Sequence, residues 1–134
     1  MTDLATRVQG VLDVPLHRAL GLRLLDDADP PAGLAIAVEG LAVNNVGVLH
    51  GGVLTALLDV ASYLAVLPTL APDENAATHD VTASVMRPVS EGEELRVAGT
   101  VVRRGRSIAF LRAEAHAGGR IVAAAQVTKS IVGG

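Results

Sequence analysis

The chain contains no cysteine and no tryptophan, and its only aromatic side chains are Tyr63 and Phe110. Without thiols there is neither a disulfide nor a cysteine nucleophile. Two isolated rings cannot build the stacking platform on which nucleic-acid strands are held. A net charge of −3 and a pI near 5.7 also suit a polyanionic partner poorly, so nucleic acid is not expected. A bilayer span needs roughly 20 apolar residues; the one long apolar run, Val53 to Leu67, is 15 residues and carries an acid, so no membrane association is expected. The start, Met1-Thr2-Asp3-Leu4, lacks the basic residues and apolar stretch of a signal peptide, so a cytoplasmic location is expected. His17, His50, His79 and His116 are scattered without metal-ligand spacing, so no metal site is expected. There is no Gly-x-Ser-x-Gly elbow, and no glycine-rich phosphate loop with its lysine.

What the chain does have is 134 residues, half of them hydrophobic, enough for one domain spanning residues 1–134 with one substantial core. Residues 3–12 suit a short helix capped by Thr2 or Asp3, and Pro15 to Leu20 another turn of helix ended by Gly21. Leu22 to Leu25 and Leu34 to Glu39 are strand candidates, separated by a loop from Asp26 to Gly33 that contains Pro30-Pro31. Ala71 to Ala76 reads as a polar loop. Four extended runs follow, at 77–87, 93–104, 106–116 and 120–132, separated by Pro88 to Gly92, Gly105 and Gly118-Gly119. In the third run Ala109, Leu111, Ala113 and Ala115 alternate with Arg112, Glu114 and His116, so one face is core and the other polar. The class is α+β: a curved antiparallel sheet with one long helix against its small-residue face.

That helix follows Asn44 and the turn His50-Gly51-Gly52. It is apolar almost all round, with Thr55, Asp59 and Ser62 in one stripe at i, i+4 and i+7. Such a helix is expected to be buried, and a buried carboxylate costs several kcal/mol unless something binds, protonates or uses it. Gly51 and Gly52 open the helix, where unpaired amides and the positive dipole end can hold an oxyanion. Gly51 and Asp59 are eight residues apart, or about 12 Å along the axis, too far for one ligand to meet both in one chain. A twofold axis setting two such helices antiparallel would bring Asp59 of one beside Gly51 of the other, so a dimer with shared sites is expected.

The ordered set Asn44, His50-Gly51-Gly52 and Leu58-Asp59, with the later Met86-Arg87-Pro88 and Arg104-Gly105-Arg106-Ser107, resembles the hotdog-fold acyl-CoA thioesterases of the phenylacetate-degradation (PaaI) type. The likeness runs from about Leu20 to Ser130. It implies a hotdog fold, with the sheet wrapped around the long helix, and dimers that commonly pair into homotetramers. It implies hydrolysis of an acyl- or aryl-CoA to the free acid and CoA, with no cofactor beyond the CoA of the substrate. By the same resemblance the Gly51 amide polarises the thioester carbonyl, His50 and Asn44 support that end, and Asp59 of the neighbouring chain is base or nucleophile. Counting back from Arg87-Pro88 places Thr78 where some members carry a serine or threonine that positions water. A one-residue shift would put His79 or Ala77 there instead.

Blander readings stand beside these. Asp59 can be a structural acid satisfied by Thr55, Ser62 or backbone amides; His50 can simply cap the helix; Asn44 can satisfy loop backbone; and Gly51-Gly52 can be only a tight turn. Gly52, Arg87, Arg104, Gly105 and Arg106 are candidates for the anionic CoA moiety, and the arginine run is equally suited to a solvated hairpin. Two other functions share the fold: a non-catalytic acyl-CoA-binding module, and a hydratase acting on enoyl thioesters.

Overall fold

In the computed structural model, which describes residues 3–133, helix gives way to strand where the sequence changes period. The elements are α1 (Leu4–Leu12), α2 (Pro15–Ala19), β1 (Arg23–Leu24), β2 (Leu34–Ala37), α3 (Gly51–Val66), β3 (Glu74–Val85), β4 (Glu94–Arg104), β5 (Ile108–Ala117) and β6 (Arg120–Gly133). All six strands join one antiparallel sheet in the order β1-β2-β4-β5-β6-β3. The helix α3 lies against four of them, β3 to β6, which is the wrapped-helix arrangement of the hotdog fold. Asp3 caps α1 by accepting the Thr6 N–H; Thr2 lies outside the described residues.

The small-residue face of the sheet sets how close α3 can come. Ala109, Leu111, Ala113 and Ala115 of β5 and Ala123, Ala125 and Val127 of β6 are all buried. Contact is closest at Gly99 on β4, where a Cβ would stand 2.7 Å from the Ala61 carbonyl oxygen and 2.9 Å from Ser62 Cα. The tight β5–β6 turn uses Gly118 and Gly119 at φ 59° and 76°, the left-handed pair that a two-residue type I′ hairpin requires. Leu54, Leu57, Leu58 and Leu64 of α3 are shielded almost completely; each contributes about 1.5–3 kcal/mol relative to an exposed side chain.

Three expectations are corrected. Residues 71–76 are not all loop, because β3 begins at Glu74. A 3-10 turn at Leu67–Thr69 lengthens the helical run to 19 residues at mean hydropathy 1.6, long and apolar enough for a membrane span, yet half of it is buried within the fold. Nor is α3 buried all round: Val53, Thr55, Ala56, Asp59, Val60 and Tyr63 are only partly covered, so the face turned from the sheet is open in the single chain.

Candidate active site

The amino end of α3 is built by its cap. His50 holds an extended backbone (φ −66°, ψ 125°), and its Nδ1 accepts from the Gly52 N–H at 3.0 Å and the Val53 N–H at 3.4 Å. His50 is therefore a helix cap, with Nδ1 as the unprotonated ring nitrogen by the geometry of those bonds. The capping leaves one amide over. Gly51 N–H has no acceptor among the described residues, and a Cβ on Gly51 would meet nothing within 4 Å. The Asn44 side chain faces its own loop, accepting from Val46 N–H at 3.0 Å and Val48 N–H at 3.1 Å. Leu49 N–H donates to the Val89 carbonyl at 2.8 Å, which sets the Arg87-Pro88-Val89 segment beside the helix entrance.

Two turns further on, Asp59 is not the unpartnered acid its neighbours in the sequence suggest. Its Oδ1 accepts from Thr78 Oγ1 at 2.7 Å and from Lys129 Nζ at 2.8 Å, and Lys129 also donates to Thr78 Oγ1 at 2.5 Å. The Asp59 side chain is 33% exposed and that of Lys129 only 2%. The Lys129 ammonium stands 5.6 Å from the centre of the Tyr63 ring, whose hydroxyl donates to Asn75 Oδ1. The sequence-based partners do other work: Thr55 and Ser62 donate back to the Gly51 and Leu58 carbonyls of their own helix.

Thr78 reaches Asp59 because of a β-bulge at His79. The extra residue flips the phase of β3, so Ala76 and Thr78 turn inward before it, and Val81 and Ala83 after it. Of residues 77, 78 and 79 it is Thr78 whose side chain meets Asp59. His79 instead pairs across the strand, with Nδ1 2.8 Å from Ser130 Oγ.

Lys129 is the member of this cluster that sequence reasoning missed. It is the sole lysine among eleven basic residues, and it continues the inward row Ala123, Ala125, Val127 of β6. A cation at a core position of a period-two row was the available signal.

Asp59, Thr78, Lys129 and Tyr63 open on a cleft of about 520 Å³ whose opposite wall includes Gly10, Val11 and Val14. Gly51, His50 and Asn44 do not line it. Thr78 and Val85 are seven residues apart on β3, about 23 Å at strand rise, so Arg87 also lies far from Asp59 along the strand. Arg104 is close to the cleft rim but engaged: its guanidinium donates to Glu74 Oε1 at 2.6 Å and to the Gly105 carbonyl at 2.7 Å. Gly105 serves the β4–β5 turn, its N–H donating to Ile108 O, and Arg106 is exposed. The Glu74 carboxyl is held below its ordinary value of 4.5, first by the Ala71 N–H that it accepts and then by Arg104. The candidate residues thus fall into two groups about 12 Å apart along α3: the Gly51 amide with Arg87 at its amino end, and the Asp59 triad with Arg104 from its middle onward.

Residues 41–130 match the family described as the acyl-CoA thioesterase N-terminal domain. The medium/long-chain acyl-CoA thioesterase YigI of Escherichia coli K12 is 31% identical over 121 residues, covering 79% of this chain and 77% of that one. A phenylacetic acid degradation-related protein of Ralstonia eutropha JMP134 superposes with a TM-score of 0.79 at 28% identity, covering 96% of this chain and 99% of that one. A thioesterase of Haemophilus influenzae shares the fold at a TM-score of 0.85 and 21% identity, over 99% and 93% of the two chains.

Proposed function

The chain belongs to the acyl-CoA thioesterase family and is a thioester hydrolase; from that premise we propose that it hydrolyses acyl-CoA at a site shared between two copies of itself. The observation that carries this reading is the separation of the two groups of residues. A carbonyl held by Gly51 N–H lies about 12 Å along the helix from the Asp59 carboxylate of the same chain, beyond the reach of any attack on that carbonyl. Two chains with antiparallel α3 helices close the gap twice, with the twofold axis passing beside Thr55, midway between positions 51 and 59. The open face of α3 and the bare edge strand β3 supply the surface for a second copy.

Each part then has a chemical role. The acyl group occupies the cleft between α1 and α3, whose volume falls in the usual small-molecule range of about 300–1,000 Å³. The partner's Gly51 N–H, at the positive end of a helix, donates to the thioester oxygen as negative charge gathers there. Asp59 accepts through Oδ2, because Oδ1 is already occupied by Thr78 and Lys129. It either takes a proton from the attacking water or attacks the carbonyl itself. Water supplies the hydroxyl of the free acid, the C–S bond breaks, and CoA leaves as its thiol. That chemistry calls for no metal or redox cofactor.

Subunit mixing tests the shared site. Asp59→Asn and Gly51→Pro chains should each be nearly inactive. Unfolded together and refolded at equal amounts, they should regain about a quarter of wild-type turnover, since half the dimers are hybrids with one intact site of two. No recovery on mixing, from chains that do associate, would place the whole site within one chain. Binding of acyl-CoA by the wild-type chain without thiol release would leave it a binding module.

A further inference from the structure

The geometry points to Lys129 as a positioning residue for the reaction: its buried ammonium fixes which oxygen of Asp59 is free to act. This rests on the reading of Asp59 above. Lys129 sits at a core position in the same inward row as Ala123, Ala125 and Val127, and its neighbours there are apolar. Burying an ammonium is costly, and replacing a buried ion pair by well-packed apolar side chains is commonly neutral or stabilising. Stability alone therefore gives no reason for a lysine here. The hydrogen bonds do.

An ammonium donates only, so the Thr78 oxygen must accept from Lys129, and the single Thr78 proton is then committed to Asp59 Oδ1. Oδ1 receives that proton and one from Lys129 itself, at 2.7 and 2.8 Å. Oδ2 has no partner among the described residues. The carboxylate is pinned by one oxygen and presents the other at the cleft. The groups facing it are Tyr63 from its own helix, Thr78 from β3, Lys129 from β6, and Arg7 and His17 across the cleft from α1 and α2. Arg7 donates to the Ala71 and Glu74 carbonyls, and His17 Nδ1 contacts the Val11 carbonyl at 2.6 Å, so both have partners of their own. Within this triad Thr78 cannot donate to a water; a water on it must donate to the threonine oxygen. Thr78 thus acts through Asp59, and it can take the water-positioning role that the resemblance implies only as an acceptor.

The absence of any cysteine and of any second lysine makes the test specific. Lys129→Cys is alkylated while unfolded, either to the aminoethyl form, which restores an ammonium at nearly the same reach, or to the neutral propyl form of similar size. All forms are refolded and compared with Lys129→Met and Asp59→Asn by steady-state thiol release and by thermal unfolding. The expected result is that Lys129→Met and the propyl form lose about a hundredfold in kcat, the scale of an ångström's misplacement of a reacting group. KM should change less than about threefold, because Lys129, though it lines the cleft, exposes only 2% of its side chain and commits its ammonium to Asp59 and Thr78. Aminoethylation should return most of the loss. A neutral form with kcat within threefold of wild type overturns the inference, as does a loss that aminoethylation leaves unchanged. A chain that folds only with an ammonium at position 129 makes the residue a determinant of the fold, and overturns it too. Near-normal turnover of Asp59→Asn defeats the reading of Asp59 itself, whereas a dead Asp59→Asn with an active Lys129→Met defeats only the role given to Lys129.

Discussion

Gly51→Pro removes a single hydrogen-bond donor from the protein and almost nothing else. Gly51 is the first residue of α3, the position at which proline is favoured because its missing N–H has no partner inside the helix. The residue before it already suits proline, since His50 holds ψ 125° in the extended range. A Cβ at position 51 meets nothing within 4 Å, and the Gly51 N–H has no acceptor among the described residues to lose. Stiffening the unfolded chain at a compatible site adds roughly 0.4–1 kcal/mol, so Tm should hold or rise slightly. Activity should behave differently. If this amide receives the charge of the transition state, its loss costs about 2.7–4 kcal/mol, a 10²- to 10³-fold fall in kcat. Gly51→Ala keeps the N–H and should stay within a few-fold of wild type. The assay follows released CoA with a thiol reagent, and because the chain has no cysteine the reagent sees CoA alone. A Gly51→Pro protein that folds normally and turns over within threefold of wild type would refute the role of this amide.

Other expectations follow from the same geometry. Gly99→Ala forces a methyl against the backbone of α3 at Ala61 and Ser62, and should cost about 1–3 kcal/mol in denaturant unfolding. Gly10→Leu places a side chain in the cleft from a helix position where glycine is a poor helix former; Tm should rise while kcat/KM for long acyl-CoA esters falls about tenfold against short ones. Glu74 titrates lower in the folded chain than its ordinary 4.5, so the stability it contributes is present above that pH and is lost as pH falls through the lowered value. Protection against hydrogen exchange at the start of β3 should therefore fall as pH drops through that lowered value, and Arg104→Leu should weaken that step.

Much of the fold was legible because its elements obey simple periods. The alternation along residues 106–116 located β5 and its inner face, and the glycine pairs located the turns. Position 74 was misjudged because Glu74, Asn75 and the aspartate before them are polar by composition. Glu74 enters the sheet through its backbone, and its side chain is satisfied by Ala71 and Arg104 from a different strand. The bulge at His79 was illegible for a related reason. A bulge is set by the pairing of two strands far apart in sequence, and nothing local to the Thr78-His79-Asp80 run marks which residue is extra.

The candidate site was legible in its parts, yet the physical argument for its central acid changes. A carboxylate among leucines suggests chemistry because burying it alone is expensive. The structure offsets that expense: Asp59 is a third exposed and shares Lys129 with Thr78. A paired acid at a surface needs no function to account for it, so burial alone no longer supports the assignment. Two vacant hydrogen-bonding positions support it instead, namely Asp59 Oδ2 and the Gly51 N–H, each free for a physical reason. The first is spare because two donors crowd the same oxygen; the second because His50 caps the two amides after it. A donor at the amino end of α3 and an acceptor at its middle, about 12 Å apart along the axis, are too far apart to serve one thioester from a single chain, and it is on that distance that the proposed two-chain site rests.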